Sequence, residues 1–311
     1  HGKGPWNEPM NKEAAVYLEH ADHCAFGHAE IANAGFSGIA VAWSGRNNRF
    51  VGNRIRDCGF HGVLLSGYRS GFGPAMDVNR GHTIADSWIH DCGRLVGHGA
   101  GLFLHSSGHN RIERNTVHDM PRYGICIKGE AWLTGEIDGT RELKNLLDTG
   151  PDTWTVTEEN KWDYVHSGWN RVAYNDFFLC TKDSEDCGFI SLWGSGRDNA
   201  FVHNVIHDSY RTLGGLVHAI DLDDHVHYAT VRDNLIYNFF GGDRLRLLFA
   251  KGTHHTIENN IIVGDVPGTV GIYTMSFRGG KVEGNVYRHN VISLQSRGTL
   301  LSFRLDSEEH G

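Results

Sequence analysis

The sequence contains no apolar run of the roughly 18 residues that a membrane-crossing helix needs, so none is expected. It also has no cluster of Lys or Arg, and its formal net charge is −8. Nucleic acid and membrane lipid are therefore poor candidates for the main partner. An anionic polysaccharide is disfavoured less strongly, because a local cleft can oppose the overall charge. None of the six cysteines lies in a CxxC pair, so a zinc site of that kind is not expected. Cys58 and Cys92 both sit in Asp-Cys-Gly, 34 positions apart. They read as a small residue repeated at one buried corner, with a disulfide as the lesser alternative. No signal-peptide pattern heads the chain, but it opens at His1 without Met, so this says nothing about export.

What the sequence does have is a repeat. A polar residue, usually Asn, is followed two positions later by Ile, Val or Phe. The element begins at Asn53, Ser87, Asn115, Asn175, Asn204, Asn234, Asn260 and Asn290, with successive spacings of 34, 28, 60, 29, 30, 26 and 30. The spacing of 60 is two periods, or one period plus an insertion. An Arg-Asp or His-Asp pair often follows, as at Arg56-Asp57, His90-Asp91, His118-Asp119 and His207-Asp208. Then Gly62, Gly101, Gly124 or Gly188 opens another short apolar segment.

Each period is too short and too β-branched for helical repeats and lacks a leucine-rich signature. It is also shorter than the ~40–45 residues of a β-propeller blade. Two or three short strands per period cannot bury an apolar face alone, whereas stacked coils share one core. The fold expected is all-β: a right-handed parallel β-helix, a solenoid, with a long loop insertion. The whole chain, 1–311, reads as one such domain. The recurring Asn then forms a ladder inside a turn. The His-Asp corners are structural too, since they recur on many coils and an active site occurs once.

Residues 130–166 break the repeat and carry Trp132, Trp154, Trp162 and Tyr164. Loops that interrupt a solenoid often lie on its binding face, but the same rings could simply pin the loop to the barrel. Residues His1–Asn11 have no repeat character, and no cap helix stands before Val16. That end of the solenoid therefore calls for further chain or a partner to cover it.

Alternate residues of a strand face opposite sides. If Val63/Leu65, Leu102/Leu104, Ile125/Ile127, Ile190/Leu192 and Ile220/Leu222 face inward, the next outward residues are Ser66, His105, Lys128, Trp193 and Asp223. One outward step earlier lie Leu64, Phe103, Cys126, Ser191 and Asp221. A plain structural face would carry small polar residues instead. The run Asp183-Ser184-Glu185-Asp186-Cys187-Gly188 leads into the Ile190 strand and would approach Asp221, Asp223 and Asp224 of the next coil. Like charges this close raise one another's pKa. Two carboxyl groups with separated pKa values are what glycoside hydrolysis needs. The alternatives for this cluster are a solvated acidic corner or a Ca²⁺ site of carboxylate oxygens; no other cofactor is expected.

Ser184-Glu185-Asp186-Cys187-Gly188-Phe189-Ile190, followed by Trp193-Gly194 and Gly196-Arg197-Asp198-Asn199, resembles a motif of bacterial right-handed β-helix carbohydrate-active proteins. Ala219-Ile220-Asp221-Leu222-Asp223-Asp224 and Pro121-Arg122-Tyr123-Gly124-Ile125 with Lys128-Gly129 are similar to two further blocks. The resemblance spans roughly residues 80–295 and points to glycoside hydrolase family 141. It implies one catalytic aspartate in each acidic block, here Asp186 and Asp223, with Asp224 the alternative in the second block, and a secreted or periplasmic bacterial protein. The chain departs from the pattern at Asp221 (usually Tyr), Cys187 (usually Thr) and His218 (usually Gly).

The expected function is thus hydrolysis of a polysaccharide or oligosaccharide by Asp186 and Asp223. Substrate contacts are expected from Lys128, His105, Trp193, His218, Asp221, Asp224, Glu185 and Tyr123. A polysaccharide lyase is the first alternative, with Lys128 and His105, or Arg122 and Tyr123, removing the proton and neutralising a uronate. A non-catalytic carbohydrate-binding β-helix is the second.

Overall fold

The computed structural model describes residues 13–68, 78–145, 150–210, 216–240, 245–276, 280–295 and 297–305. Residues His1–Asn11, whose lack of repeat was noted above, lie outside them. The described chain winds into three parallel sheets, one of twelve strands and two of nine, in which strands of successive coils are neighbours. This is the expected parallel solenoid.

The apolar residue of each Asn-x-apolar element enters the core. Ile55, Ile89, Val117, Phe177, Ile206, Ile236 and Ile262 pair in register from coil to coil and are fully buried. Each contributes about 1.5–3 kcal/mol by leaving water. In-register pairing is strongly enforced, because a slip of one residue would turn this whole line to the outside.

The Asn ladder satisfies the turns between coils. Asn175 Oδ1 accepts from the Asn115 backbone N–H at 2.9 Å, and Asn204 Oδ1 accepts from that of Asn175 at 3.0 Å. The series continues through Asn234, Asn260 and Asn290. Asn115 bonds Asn175 directly, so the spacing of 60 is one coil plus an insertion. The residue before each ladder position, such as Arg114, Tyr174, His203 and Asp233, has positive φ. That conformation is costly for side-chain-bearing residues and persists because the ladder over-determines it.

A second ladder, not foreseen from sequence, runs through Asn48, His82, Asn110, Asn170, Asn199 and, after Ala229, His255. Two of its members are histidines accepting through Nδ1, which hid the pattern. The His-Asp corners are local pairs: His90–Asp91, His118–Asp119 and His207–Asp208 lie within 2.9 Å. Cys58, Cys92 and Cys180 are free and buried at one corner. Gly101 must be glycine, since a Cβ there would come within 2.7 Å of the Gly124 carbonyl oxygen on the next coil.

Residues 130–166 fold on their own small core of Leu133, Ile137, Leu143, Val156 and Val165, with Trp154, Trp162 and Tyr164 against it. They contain an antiparallel pair, Arg141–Lys144 with Thr153–Val156. Lys161, itself buried, locks the segment by donating to Glu158 at 2.5 Å and to the Gly135 carbonyl at 3.0 Å.

Candidate active site

Four neighbouring strands of the twelve-stranded sheet carry the site: Tyr123–Lys128, Cys187–Trp193, Val217–Leu222 and Arg246–Ala250. Their inward pairs are Ile125/Ile127, Ile190/Leu192, Ile220/Leu222 and Leu248/Ala250, all in the core. The outward positions fall into two columns. Cys126, Ser191, Asp221 and Phe249 are register partners in one. Lys128 pairs with Trp193 in the other, and the Asp223 and Lys251 backbones continue it by bonding to Leu192 and Leu222.

A cleft of about 480 Å³ opens over these columns. Asp186 and Asp223 both border it, as do Tyr123, Lys128, Trp193, Asp221 and Asp224. Two acidic segments nearly forty positions apart are thus brought together by coil stacking. Asp186 is held at the cleft by its positive φ of 55° and by a 2.7 Å bond from its N–H to the Leu216 carbonyl.

Three expected contacts do not border the cleft. His105 is buried one coil too far back, and its Nε2 lies 4.0 Å from Glu130 at the root of the insertion. His218 is fully buried; its Nδ1 bonds the Arg246 carbonyl at 2.7 Å and its ring packs on Phe249. Burial holds its pKa near 4, so it is neutral. Glu185 points to solvent from the turn before the strand.

Arg122, expected with Tyr123 for the lyase alternative, also borders the cleft, and the structure adds Arg246, Phe249 and, above all, Lys251. Lys251 Nζ donates to Asp223 at 2.5 Å and to Asp224 at 2.9 Å. Burial works to lower its pKa, but the two carboxylates outweigh it and the ammonium is held charged. Arg122 lies over the Tyr123 ring at 4.8 Å and donates to the Asp186 backbone carbonyl at 3.0 Å. Lys128 lies 5.4 Å above the Trp193 ring, and burial lowers its pKa.

Asp221 is the most perturbed acid in the cleft. Burial first, then the charge of Asp223, push it well above the usual carboxylate range, against the opposing effects of the Ser191 hydroxyl and Lys251. Ser191 Oγ donates to Asp221 Oδ2 at 2.9 Å, and Asp221 Oδ1 has no hydrogen-bond partner among the described residues. The cleft therefore sets a buried carboxyl group with a raised pKa next to one that is bonded to a lysine. Among the described residues no group of three or more His, Cys, Asp or Glu has the arrangement of a metal site. Asp223 and Asp224 each accept from Lys251.

Residues 9–137 match the family described as right handed beta helix region. The chain is a right-handed parallel β-helix. No curated protein matches the sequence. Among solved structures this β-helix is similar to a glycoside hydrolase, at 15% identity and a TM-score of 0.49, over 94% of this chain and 38% of that one. A periplasmic alginate epimerase matches at 14% identity and a TM-score of 0.45, over 86% of this chain and 50% of that one. An alginate lyase from Paenibacillus sp. str. FPU-7 matches at 11% identity and a TM-score of 0.45, over 91% of this chain and 92% of that one. The chain spans half or less of the length of the first two.

Proposed function

We propose that this β-helix is an extracytoplasmic carbohydrate-active enzyme that hydrolyses a glycosidic bond laid across Asp186, Asp221 and Asp223. The observation that carries the reading is the convergence of these carboxyl groups in one cleft, one buried with its pKa raised, one paired with Lys251. Asp221 supplies the proton to the leaving oxygen. Asp223 or Asp186 acts as the second carboxyl group, activating water or attacking the anomeric carbon. Trp193 offers flat apolar surface to the C–H face of a sugar ring, with Tyr123 and Phe249 packed into the floor of the cleft, and Lys128 and Arg246 offer donors to its hydroxyls.

The test is a screen of polysaccharides with the wild type, Asp186→Asn and Asp223→Asn. Reducing ends should appear with the wild type and disappear with either variant while circular dichroism is unchanged. Near wild-type rates in both variants would remove the proposal. The anomer released reports the carboxylate geometry: retention for a separation of about 5–5.5 Å, inversion for about 6.5–9.5 Å.

One observation favours lyase chemistry as a second reading. The cleft holds Arg122, Lys128 and Arg246, and burial lowers the pKa of Lys128 toward that of a usable base. Cations to neutralise a uronate and a lysine to take its C5 proton would serve β-elimination. Unsaturated products absorb in the near ultraviolet, so absorbance during the same screen separates the two reactions.

A further inference from the structure

A second pocket of about 220 Å³ adjoins the cleft. Asp224 and Lys251 border both spaces, so a ligand that fills the two must pass over the Lys251 bridge. The far wall comes from the 130–166 segment, through Gly135, Glu136, Glu158 and Trp162. The near wall comes from the turns of two coils, through His225, His227, Tyr228 and Thr253.

We infer that this pocket is a second subsite, which takes one uncharged sugar ring of the same substrate chain whose neighbouring ring lies in the cleft. The inference rests on the carbohydrate reading above and adds to it the minimum length and part of the charge of the substrate. Three observations support it. The pocket, at about 220 Å³, is less than half the size of the 480 Å³ cleft, which suits a single ring.

Next, an aromatic platform is already braced. Trp162 makes T-shaped contacts with His227 at 5.9 Å and Tyr228 at 6.2 Å, and Lys161 covers it at 5.1 Å. Trp162 is half-buried and lines the pocket. An indole fixed in one orientation loses little entropy when a sugar face lands on it.

Finally, each of the three lysines on this pocket is paired with a carboxylate, and Glu283 adds a fourth acid to the lining. Lys161 pairs with Glu158 at 2.5 Å, Lys281 with Glu136 at 3.1 Å and Lys251 with Asp224 at 2.9 Å. His227 stays neutral, because burial depresses its pKa to about 3, and its Nδ1 is engaged with Thr253 Oγ1 at 2.9 Å. A uronate or sulfate entering here would have to break one of these pairs, whereas hydroxyls can bond to their spare lone pairs and N–H groups. The cleft itself, with Arg122, Lys128 and Arg246, has no such restriction.

Saturation-transfer NMR on methyl glycosides of glucose, galactose, mannose and fucose tests this directly, with methyl glucuronide as the charged control. Wild type, Asp223→Asn, Trp162→Phe, Trp162→Ala and His225→Ala are compared. At least one neutral glycoside should bind to the first three, about tenfold more weakly to Trp162→Ala, and more weakly to His225→Ala. Any glucuronide signal should be indifferent to both alanine changes. If Trp162→Ala fails to fold, His225→Ala decides. Absence of binding by all neutral glycosides, or binding that ignores the pocket variants, overturns the subsite even if a polysaccharide is cut. Binding lost in the pocket variants with no polysaccharide cut leaves the subsite standing and removes the hydrolase reading.

Discussion

The ammonium of Lys251 lies 2.5 Å from a carboxylate oxygen of Asp223. Asp224 shares the same ammonium at 2.9 Å, and all three are partly buried. Lys251 thus occupies the place that a divalent cation would take between two carboxylates. Replacing it by Met removes the ammonium that the two carboxyl groups share. We expect Lys251→Met to lose on the order of a hundredfold in rate. We also expect it to gain a Ca²⁺-dependent rise in Tm that the wild type lacks. An equal response to Ca²⁺ in both proteins would show that Lys251 does not fill the cation position.

Asp221 carries the proton in the proposed mechanism, so its loss should depend on the leaving group. Asp221→Asn should cost about 10²–10⁴ in kcat on an unactivated glycoside. On an aryl glycoside whose leaving group needs no proton, the cost should be small. In the wild type, activity should fall as pH climbs through the raised pKa of Asp221, well above the usual carboxylate range. A variant equally impaired on both substrates would assign Asp221 a positioning role instead.

The fold was legible because solenoid physics repeats itself in sequence. Every coil must send one apolar residue inward and close the same turn, so Asn175, Asn204, Asn234 and their apolar followers recur at nearly constant spacing. The outward columns followed from strand alternation, which brought Lys128, Trp193, Asp221 and Asp223 to one face correctly. The same alternation at Leu248/Ala250, one coil beyond Ile220/Leu222, makes Lys251 the next outward residue. His105 misled because alternation gives a direction and no reach, and it lies a coil away. His218 was never placed by alternation, and its ring packs against Phe249. The pocket beside Trp162 was not readable, since the 130–166 segment follows no period and its placement is decided by its own core.

The Asn ladder should be the costliest polar feature to interrupt. Asn204 Oδ1 accepts from both the backbone and the side chain of Asn175, while its Nδ2 donates to the Val172 carbonyl and to Asn234, all at 3.0 Å. Asn204→Ala leaves buried donors and acceptors without partners on both neighbouring coils, each costing about 1–3 kcal/mol. Urea denaturation should show a loss of about 3 kcal/mol or more. Asn290 is only half-buried, so water can replace its bonds and Asn290→Ala should cost less. Equal losses at the two positions would mean that burial does not set the ladder's value.

The acid kept neutral for chemistry should also tax stability in a pH-dependent way. The folded pKa of Asp221 is raised, so between the unfolded value of about 3.9 and the folded one the native state binds the extra proton. The stability contributed by this group is therefore complete below the unfolded pKa and declines as pH rises through that window. Asp221→Asn has no proton to lose and keeps the Ser191 contact with an uncharged acceptor. Its Tm relative to wild type should thus improve steadily from pH 4 toward neutral pH. A Tm difference that stays flat or reverses over that range would mean that Asp221 is ionised in the native protein. In that case it could not be the proton donor.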